Sequence, residues 1–280
     1  MLVFVILHYN NSIDTVEAVA SICKNTKNRP YHIIIVDNCS SNGTGEALRR
    51  KYLSNKNITV IINDCNLGFA KGNNVGFYYA KYNLKADYIV MMNNDTMLLD
   101  NRFCQEIEEE YRRSSFAVLG PMIITPHPPF DSNPQRETVM KKKECFVFIL
   151  KMLAYCVLNF VSLDVIYQQY FAKSRNKKRK NINVRKEDIQ LHGCFWIFSR
   201  DYINRFDGIN PKTFLYREEE LLFLRLKRSG MKSVYQPSLR IFHKEDGATN
   251  TLFNKDKEKR FFGYWQRIKS TWIVLQELCE

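Results

Sequence analysis

The chain has 280 residues, 45% of them hydrophobic, and a formal net charge of +13. This length and apolar content suit one large α/β domain or two small ones, so the chain should fold around a real core. Its eight cysteines form no CxxC pair and no Cys/His ligand pattern, which excludes a recognisable zinc site or disulfide framework. The first residues lack the basic start and cleavage site of a signal peptide, and together these features favour a reducing, cytoplasmic compartment.

Short apolar runs alternate with helix-compatible stretches along the first 125 residues. This alternation is typical of βαβ units and predicts an α/β fold with a doubly wound, parallel sheet. The predicted strands are Leu2–Leu7, His32–Asp37, Ile58–Asn63, Tyr88–Met92 and Ala117–Ile124, and the predicted helices are about Ser12–Lys24, Gly43–Tyr52, Ala70–Tyr82 and Asn101–Arg113.

Two loops of this half are rich in small and amide residues. The second strand ends at Asp37, whose carboxylate at the sheet edge could accept hydrogen bonds from a nucleobase, or could instead form an Asx turn that caps the next helix. The run 66–76, NLGFAKGNNVG, allows a ligand to approach the backbone closely. It has neither the order of a P-loop nor that of a dinucleotide fingerprint.

The run 88–96, YIVMMNNDT, is an apolar strand that ends in two asparagines and Asp95. Open α/β folds bind ligands at the carboxyl ends of their strands. A carboxylate flanked by amides at that place suits a hard divalent cation that also holds phosphates. The alternative is an ordinary turn from strand to loop.

Two further features lie in the last third of the chain. Glu218, Glu219 and Glu220 begin an amphipathic helix, where the helix dipole by itself favours acidic residues. The strand-like run Ser233–His243 ends in a histidine, and a single histidine is usually structural or a surface residue.

Taken together, these segments resemble the family 2 glycosyltransferases with the GT-A fold, especially the rhamnosyltransferase-like branch that builds bacterial surface polysaccharides. The motifs that carry the resemblance are ILHYN at 6–10, IIIVDNCSSNGT at 33–44, NLGFAKGNNVG at 66–76 and YIVMMNNDT at 88–96, followed by the blocks 191–200, 206–208 and 213–220. The resemblance implies a Rossmann-like, mostly parallel central sheet flanked by helices, with a helical insertion and a C-terminal helix.

The resemblance also implies roles for single residues. Asp95 and His243 would bind a divalent metal, Mg²⁺ or Mn²⁺, and Glu219 would be the catalytic base, with Glu218 as the second candidate. The chain has Asn-Asn-Asp where the family has Asp-x-Asp, and Leu221 replaces a further aspartate. The predicted donor-binding residues are Tyr9, Asn10, Asp37, Asn38, Asn66, Lys71, Asn74, Asn94 and Asp95.

The segment 131–188 has no counterpart in the family pattern. Its apolar stretch Cys145–Leu163 approaches the length of a membrane span, but Lys151 in the middle argues against crossing. Its polar residues are spaced to line one face of a helix that lies in the cytoplasmic membrane interface, or that packs on the core or on a second subunit. These residues are Glu144, Lys151, Tyr155, Asn159, Ser162, Gln169 and Lys173.

Most of the excess positive charge lies in 173–186 and 255–269, and 253–279 reads as an amphipathic helix. The absence of zinc-finger, RNP and helix-turn-helix patterns disfavours nucleic acid as a partner. We therefore expect four segments: a nucleotide-sugar-binding half (1–125), a helical insertion (126–190), an acceptor and catalytic half (191–250) and a C-terminal helix (251–280).

The function expected from the sequence is an inverting glycosyltransferase. It would move a sugar from dTDP-rhamnose or a UDP-hexose to a lipid-linked carbohydrate acceptor. We expect a peripheral protein on the inner face of the cell membrane, and a homodimer stays open. Two alternatives stay open at this stage, a nucleotidyltransferase and a non-catalytic, membrane-associated nucleotide-binding scaffold.

Overall fold

The computed structural model describes residues 1–26, 29–128, 132–166, 182–245 and 256–280. Most of the basic run 173–186 lies outside the described residues, and so do Gln169, Lys173, the basic residues 175–180 and the start of the predicted C-terminal helix. The first half alternates strands and helices as predicted. Its elements are β1 (Leu2–His8), α1 (Ser12–Asn25), β2 (Tyr31–Asp37), α2 (Thr44–Tyr52), β3 (Ile58–Ile62), α3 (Gly68–Tyr82), β4 (Tyr88–Asn93), β5 (Thr96–Leu98), α4 (Phe103–Ser114) and β6 (Val118–Ile124).

The second half adds three strands and four helices to the described part of the chain. These are α5 (Lys142–Phe160), β7 (Lys186–Glu187), β8 (Phe195–Ser199), α6 (Arg200–Arg205), α7 (Glu218–Ser229), β9 (Ser233–His243) and α8 (Asp256–Glu277). The predicted strand at Ser233–His243 and the predicted helix after Glu218 are both present.

All described strands belong to one sheet, in the order β3-β2-β1-β4-β8-β6-β9-β5, with β7 paired to β9. Strands β1 to β4, β6 and β9 run in one direction, whereas β5, β7 and β8 run in the other. The fold is thus α/β with a mostly parallel central sheet. The antiparallel β8 lies between β4 and β6, so residues after the insertion return to the middle of the sheet.

Helices cover both faces of the sheet. Side chains alternate across a strand, and along β1 they enter two separate clusters: Phe4 and Ile6 pack on one face, and Val3 and Val5 on the other. Strands that are buried on both faces need continuous apolar sequences, which β1, β2 and β4 have. Their polar residues therefore fall at the strand ends, which is where the candidate active site described below lies.

Helices α5 and α8 pack against each other beside this sheet, with the Tyr155 and Tyr264 rings stacked at 5.3 Å between centroids. The polar residues predicted to share one face of the insertion helix have different surroundings. Lys151 is exposed, whereas Tyr155 is buried against Tyr264, and the buried Asn159 donates a hydrogen bond of 3.1 Å to the buried Asp164. In the described residues, no helix is both long enough and apolar enough to cross a membrane.

Candidate active site

Asp95 and His243 are brought together by strand pairing. The short strand β5 runs antiparallel to the end of β9, with Thr96 opposite His243, and this register leaves Asp95 Oδ2 3.3 Å from His243 Nε2. Both side chains are buried, yet Asp95 Oδ1 and His243 Nδ1 have no hydrogen-bond partner among the described residues. Buried polar atoms without a partner are uncommon in folded proteins and call for a ligand or an ion.

A divalent cation fits this pair. Carboxylate oxygen and neutral imidazole are both suitable ligands, and the unpartnered atoms are free to bind. The described residues contain no group of three or more His, Cys, Asp or Glu side chains that could hold a metal ion. The protein thus offers two ligands, and phosphate oxygens of a substrate would have to supply others, which is how Mg²⁺ is commonly held.

His192 lies next to this pair, with its ring centroid 6.1 Å from that of His243. Its Nδ1 accepts a hydrogen bond of 3.1 Å from the Cys194 N–H. Burial, together with the nearby His243, lowers the pKa of His192 to about 4, so the ring is neutral at physiological pH. Sequence reasoning gave His192 no role, because a lone histidine before a strand carries no pattern.

Glu219 and the Asn-Asn-Asp triplet meet across the start of β8. The Asn93 N–H donates to the Cys194 carbonyl at 2.9 Å, and the Gly193 N–H donates to Glu219 Oε1 at 3.1 Å. A Cβ on Gly193 would lie 2.9 Å from the same oxygen, so a larger residue there would displace the Glu219 carboxylate. These residues line a cavity of about 510 Å³, which we call the Glu219 cavity.

The three glutamates at the start of α7 have different surroundings. Glu220 is buried and paired with the Arg217 guanidinium. Glu218 is buried with Oε1 unpartnered, and burial, added to the neighbouring Glu219 charge, raises the pKa of its carboxyl to about 8. Glu219 is partly exposed at the cavity wall, and burial raises its pKa as well. Glu219 is the glutamate best placed to receive a proton from a substrate.

The predicted nucleobase contact, Asp37, lies at the end of β2 and is 2% exposed. Its carboxylate accepts hydrogen bonds from the Ser40 hydroxyl and, at 3.2 Å, from the Ser40 N–H, which is the local turn considered as the alternative. Asn10 ties this loop to the first one, because its N–H donates to Ser40 Oγ at 2.8 Å. Helix α2 packs tightly here, and a Cβ on Gly45 would lie 2.3 Å from Asp37 Oδ2.

The amides of Asn38 and Asn74 hold loops together. Asn38 Nδ2 donates to Asn66 Oδ1 at 2.9 Å, and Asn38 Oδ1 accepts from the Leu67 N–H at 3.0 Å. Asn74 bonds to both backbone polar groups of Ile209, at 2.8 and 2.9 Å. These contacts give Asn38, Asn66 and Asn74 a positioning role in the structure, and direct contact with a donor stays a prediction.

The other predicted donor-binding residues differ in exposure. Asn94 is buried, and its Nδ2 donates to the Asn11 carbonyl at 3.2 Å. Lys71 is exposed on the first turn of α3, and Tyr9 is partly exposed at the end of β1. The Glu219 cavity is lined by Phe69 of α3 but not by Lys71.

Two arginines of this cavity were not found from the sequence. Arg217 precedes α7, and Arg267 comes from the middle of α8, where its guanidinium lies 4.0 Å from the Tyr216 ring centroid. Arg267 is distant in sequence from every motif and occupies one turn of an ordinary amphipathic helix. Only the packing of α8 against the start of α7 reveals it.

The fold defines the class of protein. Among solved structures, S. aureus TarS 1–349 in complex with UDP-GlcNAc is similar at a TM-score of 0.55 and 12% identity, covering 95% of this chain and 65% of that one. GalNAc-T7 with UDP, GalNAc and Mn²⁺ is similar at a TM-score of 0.60 and 14% identity, covering 87% and 44%. This chain therefore has the GT-A fold and spans less than two thirds of either structure's length.

The family follows from the sequence profile. Residues 3–206, well over half of the chain, match the family described as glycosyl transferase family 2. The protein belongs to glycosyl transferase family 2. A comparison with curated proteins gives no match.

Proposed function

We propose that the protein is an inverting glycosyltransferase that moves a sugar from a nucleoside-diphosphate sugar to a hydroxyl of a carbohydrate acceptor. One observation carries this proposal. Cys194 and Gly193, just before β8, hydrogen-bond to the Asn93 backbone and to the Glu219 carboxylate, so a candidate base and the first residue of the triplet that ends in Asp95 line one cavity. Donor and acceptor can therefore meet there.

Glu219 acts as the general base. Its carboxylate takes the proton of the acceptor hydroxyl as that oxygen bonds to the anomeric carbon, while the bond from this carbon to the diphosphate oxygen breaks. Attack opposite the leaving group inverts the anomeric centre and requires one carboxylate. Burial holds the pKa of Glu219 above its ordinary value, which makes its carboxylate a stronger base than an exposed glutamate.

Asp95 and His243 would hold Mg²⁺ or Mn²⁺, since their side chains lie 3.3 Å apart and each has a buried polar atom without a partner. Such an ion, when bound, neutralises charge on the departing diphosphate. The neutral His192 beside them adds no positive charge that would repel a cation. The Asn-Asn-Asp triplet leaves a single carboxylate for the ion, so affinity should depend strongly on the nucleotide's own phosphates.

A uridine nucleotide is our first choice of donor, ahead of dTDP-rhamnose. The solved structures similar in fold include complexes with UDP and with UDP-GlcNAc. The buried Asp37 would accept a hydrogen bond from the base through a lone pair that Ser40 leaves unused. The resemblance to enzymes that build surface polysaccharides supports a lipid-linked glycan as the acceptor. The reaction would then be a step of polysaccharide synthesis.

A thermal-shift screen tests the donor site. UDP, dTDP, GDP and CMP are each added with and without Mn²⁺ to the wild type and to Asp95→Ala. We expect one nucleoside diphosphate to raise the melting temperature in a metal-dependent way, since a ligand that binds the native state stabilises it by mass action. The Asp95→Ala variant should lose this gain. No shift with any nucleotide would contradict the proposal.

Turnover separates the two remaining alternatives. A scaffold would bind the nucleotide without hydrolysing or transferring any sugar, whereas a nucleotidyltransferase would release diphosphate from a nucleoside triphosphate. Wild-type hydrolysis of a nucleotide sugar, abolished by Glu219→Gln with nucleotide binding retained, would exclude both.

The surface formed by α5 favours association with an anionic bilayer. The helix turns Tyr155 and Asn159 towards the protein and leaves its large apolar side chains exposed. An apolar surface of this kind on a monomer indicates an interaction site. The exposed side chains are Phe146, Val147, Leu150, Leu153, Val157 and Phe160, continued on α8 by Phe261 and Trp265.

Charge selects lipid as the occupant. The exposed Lys141, Lys142 and Lys143 come just before or at the start of α5, and Lys151 is exposed along it. Lysines beside an interfacial apolar helix are attracted to anionic headgroups. We therefore propose that the enzyme works at the cytoplasmic face of the cell membrane with α5 in the interface.

Vesicle sedimentation tests the surface. Val157 and Phe160 are 68% and 71% exposed, so replacing both with Asp should leave the fold intact and reduce binding to phosphatidylglycerol vesicles. Leu53→Asp is the matched control, since Leu53 is 83% exposed at the end of α2. Unchanged binding in the double variant, or a wild-type dimer that it converts to monomer, would overturn the assignment to lipid.

A further inference from the structure

The Glu219 cavity adjoins a second cavity between α5 and α8. The second cavity has a volume of about 750 Å³, and we call it the α5–α8 cavity. Both cavities are lined by Phe148, Tyr216 and Arg267, which mark the boundary between them. A molecule longer than one sugar could therefore lie in both, with one end at Glu219 and the other between α5 and α8.

Arg267 is the cation at this boundary, and its charge is not neutralised. Arg217 pairs with Glu220, and Arg260 pairs with the buried Asp164. Arg267, by contrast, has neither an ion pair nor a hydrogen bond from its guanidinium within the part of the chain that the structure describes. Its recorded contact is the face of the Tyr216 ring. A stacked guanidinium keeps its N–H groups available for an anion.

Neighbouring residues leave space for the Arg267 guanidinium and hold an unusual backbone conformation beside it. A Cβ on Gly263, one turn earlier in α8, would lie 3.0 Å from Arg267 Nη1, so the glycine makes room for the guanidinium. Tyr216 and Arg217 both have left-handed backbone conformations, with φ of 72° and 71°. Such conformations are unfavourable for residues other than glycine and are often found at functional sites.

We propose that Arg267 binds a phosphate of the acceptor, which would then be a sugar linked through phosphate to an apolar carrier. A guanidinium binds phosphate oxygens through two parallel N–H bonds, which fixes orientation as well as position. The sugar would extend into the Glu219 cavity, and the carrier would follow the α5–α8 cavity towards the exposed apolar side chains. This inference rests on the proposed transferase function and names its acceptor class.

Arg267 is assigned to the acceptor because of where the donor diphosphate would lie. Asp95 and His243 adjoin His192, which with Cys194 lines the β8 side of the Glu219 cavity. Arg267 lies on the α8 side, at the opening into the second cavity. Two anionic groups of the reactants therefore have separate partners.

Direct binding tests the proposal without turnover. Geranyl diphosphate, inorganic diphosphate and UDP are titrated into the full chain, the Arg267→Gln variant and the control Arg113→Gln, which removes an exposed charge on α4. We expect Arg267→Gln to weaken geranyl diphosphate about tenfold or more, the loss of about one charge-assisted contact, and to leave UDP unchanged. Arg267→Lys should weaken it less.

Three outcomes would overturn the proposal. A loss of UDP affinity in Arg267→Gln would assign the residue to the donor. Equal wild-type affinity for inorganic and geranyl diphosphate would exclude an apolar carrier, and absence of geranyl diphosphate binding to folded wild type would exclude the site. Because none of these measurements needs sugar transfer, they stay distinct from failure of the transferase function itself.

Steady-state kinetics of Arg267→Gln provide a second test of the proposal. With an acceptor that carries the phosphate link, Arg267→Gln should raise the acceptor KM about tenfold or more while the donor KM stays constant. With the same sugar as an octyl glycoside, the variant and wild type should have the same KM. An equal rise in KM for both acceptors would show that Arg267 acts through its packing on Tyr216 and not through a phosphate.

Discussion

The three adjacent glutamates at the start of α7 have three different environments, so they are not equally suited to act as a base. All three line the Glu219 cavity, but Glu220 is neutralised by Arg217, Glu218 is buried without a partner for Oε1, and Glu219 alone of the three is partly exposed. Sequence position alone left Glu218 and Glu219 as competing bases. The exposure of the side chain to the cavity favours Glu219.

Glu219→Gln should lower sugar transfer by about 10²- to 10⁴-fold, the usual contribution of a general base, and leave nucleotide-dependent stabilisation unchanged. Because burial raises the pKa of Glu219, the acid limb of the wild-type rate profile should lie above the ordinary glutamate range. Initial rates across pH measure both effects. Glu109→Gln, an exposed change on α4, serves as control, and a similar loss there would contradict the assignment.

Glu218 should make stability depend on pH. Its pKa is raised from 4.5 to about 8 in the folded state, so between these values the folded protein binds more protons than the unfolded chain. The free energy of unfolding therefore falls as pH rises through this range. Glu218→Gln should melt at an increasingly higher temperature than wild type from pH 5 to pH 8. Parallel melting curves at all pH values would refute the raised pKa.

At the scale of elements, short pieces of structure bring the site together. The three-residue strand β5 aligns Asp95 with His243, and the antiparallel β8 connects Asn93 to Glu219. The long strands and helices of the first half were predictable within a few residues because their apolar periodicity is strong. Strands β5, β7 and β8 were not predicted, since their pairing depends on partners that are far away in sequence.

The return from the insertion is anchored by an ion pair. Arg185 Nη2 lies 2.6 Å from Glu110 Oε1, and the Glu110 side chain is 1% exposed and also accepts from Gln236 at 3.1 Å. Arg185→Ala would leave a buried carboxylate without its charge partner, which should cost about 3–5 kcal/mol of unfolding free energy. Urea unfolding measures the loss.

Arg136→Ala is the matched control for Arg185→Ala. It breaks a pair with Glu144 whose side chains are 38% and 44% exposed, and such pairs contribute at most about 1 kcal/mol. If both variants lost the same stability, the anchor at Glu110 would be no stronger than a surface pair.

At the scale of the whole molecule, charge and apolar surface act together on α5 and α8. The formal charge of +13 should attract anionic vesicles at low salt, and the exposed apolar side chains should hold the protein once it has arrived. At about 1 M salt, where the Debye length is about 3 Å, the first contribution is screened. Vesicle binding that persists at high salt should depend on Val157 and Phe160.

Sedimentation at low and high salt checks this division. The Val157→Asp, Phe160→Asp double variant should retain some binding at low salt and lose nearly all of it at high salt, whereas Leu53→Asp should follow wild type. Complete loss of wild-type binding at high salt would mean that charge alone drives the association.

The amino-acid sequence by itself determined the α/β fold and the order of the motifs, because strand periodicity places Asp37 and His243 at strand ends and Asp95 just after a strand. Periodicity also indicated a helix in the insertion. It left open whether the polar face packs on protein, and the structure has Asn159 of that face bonded to the buried Asp164.

Only the tertiary structure decided which of the three glutamates is partly exposed and which arginine lies between the two cavities. Those properties depend on burial and on contacts between residues far apart in sequence, such as Gly193 with Glu219 and Tyr216 with Arg267. Local sequence sets backbone preference and periodicity, but the pKa of Glu218 and the unneutralised charge of Arg267 are set by neighbours that folding brings together.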